Sequence, residues 1–351
     1  MAGWADDRHD LALGAFRRSA RHALDRPYRS GSLGISAAAF GRAYRRALDL
    51  PDSCGAAAAR RFFEVEFRPF LIRAEGFVTG FYEPEVDASA VETRQFRYPL
   101  LARPDDLVAV DDENRPAGMD PYLAFGRQEG GRIVEYFDRR AIEGGALAGR
   151  GLEIAWLADP VDAFFIHVQG AARLRMEDGR TMRVTYVAKS GQRFTGPGGV
   201  LATLGEIPPA EVTMQAIRAW FLANPNRVDE ILHQNRSFIF FREAPVVDPT
   251  LGPIAAAKVP LTAGRSMAVD RLLHTFGTPF FVGAPTLTAF DGMPFRRLMI
   301  AQDTGSAITG PARGDLFAGS GDLAGDIAGV VRHAAAFTVF VPVAQLDGRS
   351  R

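Results

Sequence analysis

From Asp6 to Leu50 apolar residues recur at helical spacing, as at Leu11, Phe16, Ala20 and Leu24, which predicts two short helices joined by a Gly31–Gly34 loop. Ala56–Phe70 continues the pattern and ends at Pro69. Ile72–Phe81 then reads as an extended apolar segment broken by Gly76 and Gly80, the first strand of a β domain. Between Arg97 and Glu243 short strand-like runs, Ile154–Leu157, Ala163–Val168 and Met182–Val187, are separated by Gly, Asp and Pro signals. One helix interrupts them at Thr213–Ala223, with Met214, Ile217 and Phe221 along one face, Trp220 beside them and Asn224-Pro225 as a stop; a short helix over Arg227–His233 follows. From Val246 to Ser350 the chain is again β-like and glycine-rich, through Val259–Leu261, Arg297–Ala301 and Phe337–Pro342. There is no repeat of fixed period. The pattern predicts a mainly β fold with peripheral helices: a helical layer over 1–70, a β domain assembled from 71–97 plus 240–345, and a second β domain inserted at 98–239.

Composition narrows the function classes. The 351 residues suit two domains, and 41 basic side chains balance 41 acidic ones, which disfavours a nucleic-acid binder relying on bulk positive charge. The longest apolar stretches, around Ala334–Val343 and Phe276–Val282, are too short to span a bilayer. Cys54 is the single cysteine, so no intramolecular disulfide forms and a multi-cysteine metal site is excluded. At the amino terminus Asp6, Asp7 and Asp10 stand where a secretory signal needs a basic start and an apolar core. The expectation is a cytoplasmic protein or a start that omits a leader.

Three constellations could carry chemistry. Thr79–Glu85, TGFYEPE, places two adjacent rings beside a hydroxyl and a carboxylate, which suits a sugar; the alternative is a strand end whose rings fill the core. Ala301–Gly329 sets Asp303, Asp315, Asp322 and Asp326 among closely spaced glycines. A carboxylate sheltered in such loops can have its pKa raised and act as an acid, whereas the alternative is a set of aspartates that simply hold turns. Asp322 and Asp326 read as helix-start residues without a chemical role. Third, His167–Gly170 and Ala188–Gly191 put His167, Gln169 and Lys189 near strand ends, as groove-lining groups or plain surface. No nucleophile elbow, zinc helix, phosphate loop or dinucleotide fingerprint occurs, and the six histidines do not cluster, so a metal-free, cofactor-free site built on carboxylates remains.

Taken in order, GFVTGFYEPEV, YFDRRAIEGGAL, GRGLEIAWLADPVDAFFIHVQG, EVTMQAIRAWF, NRSFIFFRE and RLMIAQDTGSAITGPARGDLFAGSG resemble the membrane-bound lytic murein transglycosylase A family over roughly Arg61 to Pro342. The resemblance implies a double-psi β-barrel built from the two flanking segments, an inserted β domain and a glycan groove between them. It implies cleavage of the β-1,4 bond between N-acetylmuramic acid and N-acetylglucosamine without water, leaving 1,6-anhydro ends. Asp315 falls on the family's catalytic acid/base and Asp303 on the aspartate that tunes it. Thr79, Gly80, Phe81, Tyr82 and Glu83 fall on the glycan-contacting loop, and Gln169 and Lys189 on groove-lining positions. The implied partners are peptidoglycan glycan strands, with proteins of cell-wall synthesis or hydrolysis as further candidates and no nucleic acid. The implied location is the periplasm, with outer-membrane association, which a truncated or misannotated start would reconcile with the acidic amino terminus. Two alternatives stand beside this reading: a non-catalytic peptidoglycan-binding protein, and a water-consuming glycosidase using Glu83 or Asp303 as second carboxylate. Ser306, Ala171, Ala188, Ser190 and Ala318 depart from the usual pattern and are expected to alter subsite affinity or product length.

Overall fold

The computed structural model describes residues 1–246 and 248–347, so residues 247 and 348–350 of the expected third β segment lie outside the described residues. The chain forms two compact units: Met1–Tyr82 together with everything from Asp248 onward, and the segment from Glu83 to residue 247. Helices α1 (His9–Asp25), α2 (Gly41–Asp49) and α3 (Ala56–Glu66) come first, followed by β1 (Phe67–Leu71) and β2 (Phe77–Glu83). The inserted segment contains β3 (Glu85–Ser89), β4 (Tyr98–Leu101), β5 (Leu107–Ala109), β6 (Phe125–Glu129), β7 (Arg132–Val134) and the single turn α4 (Arg139–Ala141). It continues through β8 (Glu153–Leu157), α5 (Pro160–Gln169), β9 (Ala171–Met176), β10 (Thr181–Lys189), α6 (Pro197–Thr203), α7 (Met214–Ala223), α8 (Val228–Leu232) and β11 (Ile239–Ala244). The chain then completes the first unit with β12 (Ser266–Ala268), β13 (Pro279–Ala284), β14 (Phe295–Asp303), β15 (Arg313–Ser320), α9 (Asp322–Val330), β16 (Arg332–Ala334), β17 (Ala336–Pro342) and α10 (Val343–Asp347).

In the first unit, strands from both flanking segments interleave in one eight-stranded sheet, ordered β1-β17-β13-β14-β12-β15-β2-β16. Strand β14 explains the apolar run seen in the sequence. Its Leu298 and Ile300 join the core of the helical layer, while Met299 and Ala301 join the opposite core with Met267, Phe280, Leu316 and Phe337. A strand covered on both faces must be apolar at successive positions rather than alternating ones. The helices are therefore part of this unit and not a separate layer: Phe16 of α1 sits within 6 Å, centroid to centroid, of Tyr44, Phe62, Phe63 and Phe67. The first strand begins earlier than expected, at Phe67, with Pro69 inside it. This strand lies at the end of the sheet order, where a residue lacking N–H costs no ladder bond on the open side.

The inserted unit holds a six-stranded sheet, β11-β10-β9-β3-β8-β4, and a small sheet, β5-β6-β7. Its boundaries differ from those expected at 97 and 240. Strand β3 pairs with β8 and β9, and β11 pairs with β10 from Arg183–Ala244 to Lys189–Ile239, so residues 83–97 and 240–246 belong to the insert. Ala163–Val168, expected as a strand, lies in α5. There Asp159 accepts a bond from the Val161 N–H at 2.8 Å, Pro160 opens the helix, and Gly170 closes it with φ of 75°. These end signals outweigh a short apolar run, which by itself cannot separate a buried helix from a strand. In consequence His167 turns inward, its Nδ1 3.0 Å from the Arg139 guanidinium, and not toward solvent.

One charged cluster anchors the insert's sheet. Arg173 of β9 and Arg183 of β10 are directly paired across the ladder, an arrangement that repulsion would disfavour. Glu83, wholly buried, answers both: Arg173 Nε donates to Oε2 at 3.0 Å, and Arg183 donates through Nε to Oε1 at 2.6 Å and through Nη2 to Oε2 at 3.1 Å. Breaking a buried pair from one side leaves uncompensated charge, which typically costs 3–5 kcal/mol. Glu83→Gln is therefore expected to lower unfolding stability by about 3 kcal/mol in a urea titration. A variant with unchanged stability would show that the two arginines do not depend on this carboxylate.

Candidate active site

The short strand β12 runs between β14, to which it is parallel, and β15, to which it is antiparallel. Ala268 pairs with Asp303 on one side and with Asp315 on the other, so the two aspartates flank one alanine in a single row across the sheet. Adjacent strands lie about 4.8 Å apart, and side chains in one row share a face. The methyl group of Ala268 leaves the space above it to the carboxyl groups.

A register shift creates this row. Met267 pairs with Ala301, yet the next residue, Ala268, pairs with Asp303, so Gln302 is an extra residue on β14. Bulges of this kind re-aim side chains. The bulge is pinned through the Gln302 amide, which is fully buried: Oε1 accepts from Ser266 Oγ at 2.5 Å, and Nε2 donates to Ala15 O and Ser19 Oγ of α1, each at 2.8 Å. The loop connecting β14 to β15 is also tied down. Gly310 N–H donates to Asp270 Oδ2 at 2.9 Å, and Thr304 Oγ1 donates to Val269 O at 2.9 Å.

Burial is the dominant influence on both carboxyl groups. It pushes Asp303 up to about 6, against the partial relief of the Thr304 and Ala256 amides, and the Asp315 charge pushes it further in the same direction. The Ala256 N–H donates to Asp303 Oδ1 at 3.1 Å. Burial likewise raises Asp315, opposed by a hydrogen bond from Thr79 and by the Arg313 charge. Thr79 Oγ1 donates to Asp315 Oδ1 at 2.5 Å and accepts from Arg313 Nη2 at 2.7 Å. Arg313 also donates from Nη1 to Gly314 O at 2.6 Å, and desolvation lowers its own pKa. The result is a sheltered carboxyl group whose acidic form is favoured and whose anion, once formed, is met by a hydroxyl and a guanidinium. Such a group can both give and take a proton.

The residues expected to contact a glycan separate into different settings. Thr79 and Phe81 share the Asp315 face, with the Phe81 ring 5.2 Å from that of Phe317. Gly80 is held against α9, where a Cβ would lie 2.8 Å from Ala328 Cα. Tyr82 is buried against the same helix, over Gly325, and so does not present its ring to a ligand. Glu83 is a structural carboxylate of the other unit; with no accessible surface and two arginines on it, it is neither a glycan contact nor a second catalytic carboxylate. In the insert, Gln169 ends α5, and Lys189 ends β10 with its Nζ 5.1 Å from the centre of the Tyr122 ring. Asp322 opens α9 as expected, whereas Asp326 lies within that helix. Sequence reasoning did not single out Arg313, although an Arg two residues before an Asp on one strand shares its face.

Comparison with known proteins places this geometry in a family. The family model for the MltA specific insert domain matches residues 77–242, and that for the 3D domain matches residues 265–341. The membrane-bound lytic murein transglycosylase A proteins of Vibrio cholerae and Escherichia coli K12 are 30% and 31% identical over 260 and 261 residues, 73% of this chain in each case. The chain spans 62% of the length of these curated relatives. The crystal structure of a membrane-bound lytic murein transglycosylase from Agrobacterium tumefaciens superposes with a TM-score of 0.94 at 50% identity, covering 100% of this chain and 97% of that one. MltA from Neisseria gonorrhoeae gives 0.80 at 32% identity, covering 97% and 90%. With half of its residues identical to the Agrobacterium protein over nearly the whole of both chains, this chain belongs to the membrane-bound lytic murein transglycosylase A family.

Proposed function

We propose that the protein is a peptidoglycan lytic transglycosylase in which Asp315 is the acid and base of both half-reactions and Asp303 tunes it. The observation that carries this reading is the raised Asp315 carboxyl, bonded to Thr79 and neighboured by Arg313, in a chain of this family. Protonated Asp315 gives its proton to the oxygen bridging N-acetylmuramic acid and N-acetylglucosamine; the bond from that oxygen to the muramic anomeric carbon breaks, and the sugar carries oxocarbenium character. The carboxylate then takes the proton of the muramic C6 hydroxyl as its oxygen bonds to the anomeric carbon, closing the 1,6-anhydro ring. Attack from within the same sugar has a high effective concentration, so one carboxylate suffices where hydrolysis uses two. Burial of Glu83 removes one of the two second carboxylates that a water-consuming route would have used.

The proposed substrate class supports a periplasmic activity, and the words membrane-bound in the relatives' names support association with a membrane, for which the outer membrane is the proposal. Among the described residues no helix is long and apolar enough to cross a membrane. Peptidoglycan glycan strands are the proposed substrate, with cell-wall synthesis or hydrolysis proteins as further partners.

Mass spectrometry of sacculi incubated with the protein tests the reaction. The expected products are anhydro-muropeptides, and Asp315→Ala is expected to reduce their formation by a factor of about 10²–10⁴, the usual share of general acid catalysis. Reducing-end products would establish a hydrolase, and retention of sacculi without any product would establish a binding protein.

The raised Asp303 carboxyl predicts a pH effect on stability. Its pKa rises from 3.8 to about 6 on folding, so the folded chain holds this proton more tightly than the unfolded chain between those values. The contribution to stability is full below about pH 4 and is lost as pH rises through about 6. Asp303→Asn, which cannot ionise, is expected to unfold much like the native protein at about pH 4 and to be more stable by about 2–3 kcal/mol at pH 7.5. Urea unfolding at both pH values checks this; an equal effect at both would show that Asp303 does not titrate in that range.

A further inference from the structure

The contacts of Arg313 fix more than its own side chain. A threonine hydroxyl has one proton to donate and two lone pairs, whereas a guanidinium only donates. Arg313 Nη2, 2.7 Å from Thr79 Oγ1, therefore occupies a lone pair and turns the hydroxyl proton away from itself. The acceptor on the other side is Asp315 Oδ1 at 2.5 Å. The guanidinium is itself held in place by the Nη1 bond to Gly314 O at 2.6 Å, with the Phe77 ring centred 5.6 Å away. Among the described residues no carboxylate lies within ion-pair distance of Arg313, so its fork is committed to Thr79 and the backbone.

We propose that Arg313 is a positioning residue: by holding the Thr79 proton on Asp315 Oδ1, it confines the transferable proton of Asp315 to the other oxygen, Oδ2. A proton on Oδ1 would face the proton of Thr79, which would lose its acceptor. The acid thus has one delivering oxygen and one anchored oxygen, and only the delivering one needs to reach the glycosidic oxygen. This inference rests on Asp315 being the acid of the reaction proposed above.

Other groups near Asp315 do not reproduce this effect. Asp303 lies across Ala268 on β14 and brings like charge. Strand β12 offers Ala268 and no ionisable side chain in the row. On β16, Arg332 is exposed and pairs with Thr79 through the backbone ladder. On α9, Asp322 and Asp326 are exposed. Among the described residues Arg313 alone donates to the hydroxyl that binds Asp315.

The test combines two readings on the full chain. Carboxyl-carbon NMR of aspartate-labelled protein, without substrate, gives the Asp315 titration midpoint, and the pH dependence of kcat/KM on sacculi gives its catalytic counterpart. In Arg313→Gln the midpoint and the alkaline limb of kcat/KM are expected to rise together by about 1 pH unit, because opposite charge and a bond to the anion are lost. The maximal kcat is expected to fall about tenfold: dividing the proton between two oxygens accounts for about a factor of two, and the loss of the carboxyl's fixed orientation for the rest. Arg313→Lys keeps the charge but not the fork on Gly314 O, and is expected to hold the midpoint near the native value while kcat still falls. Thr79→Val, which leaves Arg313 in place, should raise the midpoint as Arg313→Gln does, and it serves if the latter does not fold. An unmoved midpoint in both Arg313→Gln and Thr79→Val overturns the proposal, as does full recovery of kcat in Arg313→Lys, which would assign the effect to charge alone. If the native protein cleaves no sacculi, the function proposed above fails, while the substrate-free midpoints still decide whether Arg313 acts on Asp315.

Discussion

Two carboxyl groups flank one small residue in a place that water enters poorly, and the cost of burying them as anions is the constraint that the rest of the site answers. A carboxylate shut away from water is costly to ionise, so Asp303 keeps its proton to a pH where free aspartates have lost theirs, and the Asp315 charge adds a little to this. Asp303 meets this constraint with two backbone amides, and Asp315 with a hydroxyl backed by a guanidinium. The difference in partners divides the labour. Peptide N–H groups are donors fixed by the backbone, while a side-chain hydroxyl can donate and accept at once and so link the Asp315 carboxyl to the Arg313 guanidinium.

The row exists only because β14 carries an extra residue, and the extra residue stays in place because α1 holds its amide. The amino-terminal helices thus serve the chemistry through packing: Phe16 and its aromatic neighbours seat α1 on β14, and the Gln302 bonds carry that seating to the adjacent aspartate. In the insert, the buried Glu83 between two paired arginines sets the register of β9 and β10 in a comparable way.

The sequence made particular parts legible and hid others for physical reasons. Helix α7 was readable because its cap Thr213, its apolar face and its Asn-Pro stop agree, and β14 because a strand covered twice is a continuous apolar run. Helix α5 reads as a strand because the short run Ala163–Val168 satisfies both periods, although the Asp-Pro start and glycine end are present. Asp315 and Asp303 stood out through their glycine-rich surroundings and family resemblance, but their placement beside Ala268 depends on a register shift that pairing creates and spacing cannot reveal. Glu83 was assigned to ligand contact because its arginine partners lie 90 and 100 residues away. Thr79 reads from the sequence as a ligand contact, and the structure adds that its hydroxyl donates to Asp315.

The discontinuity of the first unit bears on synthesis. Thr79 precedes the insert, and Asp303 and Asp315 follow it, so a ribosome completes the insert before the strands that hold the two aspartates exist. The insert's sheet closes on itself with strands contiguous in the chain, and α1–α3 must wait for β13, β14 and β17 to cover their aromatic face. A chain interrupted between the end of the insert and residue 315 therefore carries the inserted unit but not the row of Asp303, Ala268 and Asp315 in the other unit.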